Sequence, residues 1–253
     1  MQKPLIFISN DDGINAKGLH ILIDLMRPYG DLFVSVPDIG KSGMSQSLTL
    51  FEPLTITKVK KTPGLVIYTC NGTPVDAVKL AFDQFIPRKP DFFVSGINHG
   101  SNASISAFYS GTVGTVIEAY FHNIPSAAFS LLSHEPDANF GIAQKHIPEI
   151  FEMMMAFPNK KDLCLNVNFP DIPQEKSQGI KICRQTNGYW EEDFLKASND
   201  KQQTVFYMRG NFKNTEPEAT DTDEWALTNN FVSIVPLTKD LTNYSVLNKL
   251  NKK

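Results

Sequence analysis

The sequence has few cysteines, no long apolar runs and no excess of basic charge, and each shortage removes a class of function. Cys70, Cys164 and Cys183 are odd in number, widely spaced and free of any Cys-x-x-Cys pattern. That argues against a disulfide framework and gives no zinc-ligand spacing; the expectation is buried, reduced thiols in a cytoplasmic protein. No stretch approaches the ~20 apolar residues of a membrane span, and the N-terminus offers only the run Leu5 to Ile8 before polar residues, too little for the core of a signal peptide. With 24 Lys and Arg against 27 Asp and Glu the net charge is −3, so electrostatics make no case for a nucleic-acid duplex or an anionic membrane as partner. An anionic small molecule would need a local device, such as a metal ion or a helix N-terminus.

What is present is enough apolar material, 42% of 253 residues, for a substantial core and one domain plus an appendage. Leu5 to Ile8 is too short for a helix and reads as a central strand buried on both faces. Leu19, Leu22, Leu25 and Met26 then repeat at helical spacing, and Leu32 to Val36 forms a second strand, giving a βαβ start. Ser47 to Phe51, Leu54 to Val59 and Leu65 to Cys70 are expected as strands of an antiparallel excursion. Thr73-Pro74-Val75-Asp76 reads as a helix start, with Thr73 as N-cap, Pro74 in the first turn and Asp76 at the electropositive end; capping is sufficient to explain Asp76. Asp91 to Ser95, Ser126 to Ser130 and Leu163 to Val167 complete the core strands, with helices after Gly114 and over Ile142 to Phe157. From Gly179 onward Ile180 to Cys183, Thr204 to Met208 and Phe231 to Val235 read as strands without intervening helices. The acidic stretch Glu216 to Glu224 reads as a solvated loop.

In an open α/β sheet ligands bind beyond the carboxyl ends of the strands. Asn10-Asp11-Asp12-Gly13 lies there after the first strand, Lys41 to Ser45 after the second, and Gly96 to Asn102 and Tyr109 to Gly114 follow the strand ending at Ser95. Two adjacent carboxylates repel, and a divalent cation is the usual relief. Asp11, Asp12, the Ser42 hydroxyl and the Asn98 amide make a hard oxygen set suited to Mg²⁺, Mn²⁺ or Ca²⁺. Ser110-Gly111-Thr112 at a helix N-terminus offers N–H groups, hydroxyls and a positive dipole end to an anion. Each residue also has a plainer account: one Asp as helix cap and the other solvated, Ser42, Asn98 and Asn102 as turn formers, Ser110 as N-cap. Their joint placement at successive strand ends favours a phosphate site.

The ordered motifs Ser9-Asn10-Asp11-Asp12-Gly13, Pro37-Asp38 with Ser42-Gly43, Asn71-Gly72-Thr73-Pro74-Val75-Asp76, Ser95-Gly96-Ile97-Asn98-x-Gly100-x-Asn102 and Tyr109-Ser110-Gly111-Thr112-Val113 resemble the SurE family of survival-protein nucleotidases. The resemblance implies a Rossmann-like, mostly parallel α/β sheet flanked by helices over residues 1–178, and a C-terminal β-hairpin and subunit-exchanged tail over 179–253 that make a homodimer or homotetramer. It implies hydrolysis of nucleoside 5′-monophosphates, and of some 3′-monophosphates, with one divalent cation per subunit held by Asp11, Asp12, Ser42 and Asn98. Asn102, Ser110 and Thr112 match positions lining the family's phosphate pocket. The sequence departs from the pattern at Ala103-Ser104, where a segment commonly ends in glycine. Asp11 is the first choice for the base that takes the attacking water's proton, with His99 as the alternative. Two rivals are a phosphatase with Asp11 as covalent nucleophile, and a metal-dependent nucleotide sensor that releases no phosphate.

Overall fold

The structure, a computed structural model, describes residues 3–135, 137–199 and 202–252. In chain order the elements are β1 (Leu5–Ser9), α1 (Lys17–Met26), β2 (Asp31–Pro37), β3 (Ile56–Thr62), β4 (Leu65–Cys70), α2 (Pro74–Gln84), β5 (Phe92–His99), α3 (Gly111–Phe121), β6 (Ser126–Leu131), α4 (Gly141–Ala156), β7 (Cys164–Phe169), β8 (Ile180–Ile182), β9 (Gly188–Ser198), β10 (Thr204–Asn214), α5 (Asp223–Thr228), β11 (Val232–Pro236) and α6 (Tyr244–Leu250). Among the described residues nine strands form one sheet in the order β3-β4-β2-β1-β5-β6-β7-β11-β8, and β9 and β10 pair only with each other. The run from β4 to β7 is parallel, whereas β3 and β11 join it antiparallel. The expected α/β class therefore holds.

Strand period explains why both faces are covered. In β1, Ile6 and Ile8 face one way, into a cluster with Leu19, Leu22, Ile147 and Phe151 of α1 and α4. Leu5 and Phe7 face the other, into a cluster with Val78 of α2 and Val113 and Val116 of α3. Phe7 meets Phe33 and Phe93 at ring-centroid distances of 5.2 and 5.0 Å, tying the three central strands together. Because β2 lies on one side of β1 and β5 on the other, the chain reverses direction across the sheet at β1. The loops after β1 and β5 therefore flank the switch-point crevice.

The α2 start is a full capping box: Thr73 Oγ1 accepts from the Asp76 N–H at 3.1 Å and Asp76 accepts from the Thr73 N–H at 2.9 Å. The same cap explains why no strand forms over Ser47 to Phe51. Thr49 N–H donates to the Asp76 carboxylate and the Ser47 carbonyl accepts from Thr73 Oγ1, so this extended segment bonds to a helix end instead of a ladder. Phe51 is left 96% exposed.

Three other expectations are corrected. The third core strand does not stop at Ser95: β5 continues to His99 through a register shift against β6, because Gly96, at φ +129° and with the Phe129 carbonyl 2.3 Å from where a Cβ would sit, lets the strand kink and resume. Leu163 to Val167 is not the last core strand, since β11 pairs with β7 and β8 pairs with β11. The segment after 178 thus divides: β8 and β11 extend the main sheet, and the β9–β10 hairpin stands off it. The acidic stretch is not wholly solvated, because Asp223 opens α5 fully buried.

No helix among the described residues is long and apolar enough to cross a membrane. Cys70, Cys164 and Cys183 are buried free thiols, and burial pushes the thiol of Cys164 up to about 12.

Candidate active site

The corner after β1 is built by Asn10. Its side-chain oxygen accepts from the Gly13 N–H at 3.2 Å and its Nδ2 donates to the Gly13 carbonyl at 2.9 Å, closing a turn that brings Asp11 and Asp12 to the same end of the sheet. The Lys41 N–H donates to the Asp11 carbonyl at 2.7 Å and carries Ser42 to the corner. Ser45 Oγ, donating to the Phe108 carbonyl at 2.6 Å, joins that loop to the turn before α3.

Helix α3 points its N-terminus at Asp11. A Cβ on Gly111 would lie 2.8 Å from the Asp11 Cβ, so only glycine lets the helix approach this closely. The Thr112 hydroxyl, fully buried, donates to Asp11 Oδ1. Ser110 caps the helix by accepting from the Val113 N–H at 3.1 Å. Of the three residues expected to bind phosphate, Ser110 lines the adjacent cavity, while Gly111 packs on Asp11 and Thr112 holds it.

Burial, reinforced by the neighbouring Asp12 charge, pushes the Asp11 carboxyl up to about 6 despite the hydrogen bonds from Thr112. Burial also raises Asp12, which accepts from the His99 N–H at 3.2 Å. A desolvated carboxylate pair at a helix N-terminus is an electrostatic demand for a cation. Asn98 donates through Nδ2 to the Gly100 carbonyl at 2.9 Å, which leaves its amide oxygen as a neutral ligand. Among the described residues no three His, Cys, Asp or Glu side chains cluster in a way that could hold a metal. Two carboxylates with an amide oxygen and a hydroxyl fit the sparing carboxylate use of Mg²⁺ or Mn²⁺ better than the N/S chemistry of zinc.

Asn102 is fixed by a buried polar network absent from the sequence reading. Its N–H donates to Asn168 Oδ1 and its Nδ2 to Ser130 Oγ, both at 2.8 Å, and Asn166 Nδ2 donates to the Asn102 carbonyl at 2.8 Å. Two asparagines in the otherwise apolar β7 were the available signal. The departure at Ser104 is also resolved: Ser104 adopts φ +51°, the left-handed conformation glycine would take, and is held there by Asp223. Asp223 accepts from the Ser104 N–H at 2.8 Å and the Thr186 N–H at 2.9 Å, and Ser104 Oγ donates to the Thr186 carbonyl at 2.8 Å.

A cavity of about 460 Å³ opens above the corner, within the ~300–1,000 Å³ range of small-molecule sites. Asp11, Ser42, Asn98, Asn102 and Ser110 line it; Asp12 lies just behind, against the His99 backbone. His99 and His134 form one side, and burial together with nearby Lys17 lowers the His99 imidazole. The opposite wall comes from the hairpin, through Trp190, Glu192 and Met208 to Gly210, none of which the sequence reading marked.

A mostly parallel sheet with paired carboxylates at its switch point and a helix N-terminus facing Asp11 makes this a doubly wound α/β protein with a cavity at the strand ends, where such folds bind ligands. Residues 6–192 match the family model described as survival protein SurE. Relatives called 5′-nucleotidase SurE are 43% identical in Phocaeicola vulgatus, covering 98% of this chain and 96% of theirs, and 42% identical in Cytophaga hutchinsonii, covering 100% and 97%. The crystal structure of the SurE protein from Aquifex aeolicus superposes with a TM-score of 0.82 at 32% identity, covering 98% of both chains. The chain belongs to the SurE family.

Proposed function

We propose that the protein is a metal-dependent nucleotidase that hydrolyses nucleoside 5′-monophosphates, and 3′-monophosphates in part, to nucleoside and inorganic phosphate. The observation that carries this reading is the adjacent carboxylates of buried Asp11, held by the N-terminus of α3, and half-buried Asp12, supported by the relatives' common description as 5′-nucleotidases. Asp11, Asp12, Ser42 and Asn98 would hold one Mg²⁺ or Mn²⁺ ion, with Ca²⁺ as a further candidate. When bound, such an ion supplies Lewis-acid polarisation of a phosphoryl oxygen and eases deprotonation of the attacking water. Ser110 and Asn102 hold the phosphate oxygens, and the positive end of α3 stabilises charge that grows on them in transfer. Asp11, beside the cation it would help to hold, takes the proton of the attacking water as the P–O bond to the nucleoside breaks. The rival reading makes Asp11 a covalent nucleophile, and trapping a phosphorylated Asp11 would favour it. The exposed apolar residues of the tail, Leu241, Tyr244, Leu247 and Leu250, support an oligomer with exchanged tails.

The test is inorganic phosphate release from a panel of 5′- and 3′-nucleoside monophosphates with Mg²⁺, with Mn²⁺ and with EDTA, for wild type and Asp12→Ala. Release that disappears in EDTA and in the folded variant is expected. Metal-dependent nucleotide binding without release would overturn the enzyme reading in favour of a sensor.

A further inference from the structure

The cavity has two chemically different ends. One carries the acidic corner, amides and hydroxyls; the other is a wall from the β9–β10 hairpin. The strand register puts Trp190 opposite Phe212 and Glu192 opposite Gly210, so Trp190, Glu192 and Gly210 share one face of the hairpin. The missing side chain at Gly210 gives the Trp190 indole its seat: a Cβ there would lie 3.3 Å from Trp190 Cε3. Phe212 packs edge-on against the same indole at 6.2 Å and 68°. Trp190 is thus a braced, half-buried aromatic plane bounding the cavity. Glu192 lines the same wall, and its carboxylate takes no hydrogen bond or ion pair among the described residues, so it offers two acceptor oxygens to a ligand.

We propose that this hairpin face is a nucleobase subsite, with Trp190 as the stacking plane and Glu192 as the acceptor that selects guanine. The inference rests on the nucleotidase reading and adds which base is held and by what. A carboxylate facing an anionic substrate is tolerable only away from the phosphate, where N–H donors are available. Guanine presents two adjacent donors, N1–H and the N2 amino group, which one carboxylate accepts together. Adenine presents one amino donor beside an acceptor nitrogen that Glu192 would repel. Stacking on indole supplies the larger, base-tolerant part of the affinity, and the two contacts together favour a purine over a pyrimidine.

The test reads binding apart from turnover. Only Trp190 and Trp225 fluoresce as tryptophan, and Trp225 is stacked on Phe231 at 6.2 Å in a different cluster. Titration of the full chain with guanosine, adenosine and cytidine, which carry no phosphate, should quench emission saturably. The quenching should be strongest for guanosine and absent in Trp190→Phe. Glu192→Gln should bring guanosine and adenosine to within about twofold of each other, and Trp190→Ala should raise the KM for GMP by roughly 10-fold or more while circular dichroism stays native. No quenching by any nucleoside, or an unchanged guanosine preference in Glu192→Gln, would overturn the subsite. If wild type still released phosphate from nucleotides under those outcomes, the nucleotidase reading would stand and only the subsite would fall.

Discussion

Asp11→Asn is the substitution in which stability and activity should move in opposite directions. The amide keeps an oxygen to accept from Thr112 and removes one buried charge. In the folded protein the Asp11 carboxyl titrates at about 6, against 3.8 without the fold. Because the folded value is raised, this group favours folding fully below 3.8 and loses that contribution as pH rises through 6. A shift of about two units corresponds to about 3 kcal/mol of destabilisation at pH 8 in the absence of a cation. In EDTA at pH 8 the variant should therefore melt roughly 5–10 °C above wild type, and the gap should close at pH 4. With Mg²⁺ or Mn²⁺ present wild type should recover the difference, whereas the variant should gain little. Phosphate release by the variant should fall by about a hundredfold or more, the scale of losing a positioned base. The assay pairs calorimetric melting at pH 4 and 8, with and without metal, with phosphate release at pH 8. A variant no more stable than wild type at pH 8 in EDTA, or one that keeps wild-type turnover, would refute the account of the corner as a charge pair awaiting a cation.

Gly111→Ala should cost most of the activity while leaving far-UV circular dichroism native, since its methyl would meet Asp11 at 2.8 Å; calorimetric metal titration should show weakened binding. Asn168→Ala strands the buried Asn102 N–H and should destabilise the fold by about 1–3 kcal/mol in urea unfolding, with a raised KM because Asn102 is freed. Asp223→Ala should be more damaging, by about 3 kcal/mol or more, because it unpairs donors on Ser104, Thr186 and Glu224 at once.

Local signals were legible where a residue's own chemistry determines its neighbourhood. The βα alternation, the Thr73–Asp76 cap and the polar loops at the strand ends could be read because alternation, capping and turn formation each act over a few residues. The stretch Ser47 to Phe51 was misread because its β-prone composition is satisfied by a partner 27 residues away, the Asp76 carboxylate. Thr112 was expected at the phosphate from its place at a helix N-terminus; that its hydroxyl donates to Asp11, 101 residues earlier, is a contact only the fold creates. The hairpin wall was illegible for a different reason. Trp190, Glu192 and Gly210 become one surface only through an antiparallel register, and they reach the cavity only because the hairpin root is anchored elsewhere.

That anchor assigns a task to the segment that composition alone made look like solvated loop. Asp223 has its carboxylate fully buried, and it holds two pieces of backbone: Ser104, whose turn leads to Tyr109 and the cap of α3, and Thr186, two residues before β9 begins. At the surface Arg184 adds a paired fork to Glu216 at 2.6 and 3.0 Å and a third bond to Asp221 at 2.9 Å, closing the far strand of the hairpin onto the same root. Exposed ion pairs of this kind contribute little to stability by themselves. The buried carboxylate therefore carries most of the constraint, and it acts on both ends of the cavity: the turn before Ser110 and the start of the strand that carries Trp190. In Asp223→Asn one oxygen acceptor survives and the amide cannot accept from both backbone segments, so the two ends should loosen together. KM for nucleotides should rise and nucleoside-induced tryptophan quenching should weaken in parallel. A rise in KM with quenching unchanged would show that the hairpin is placed by something other than Asp223.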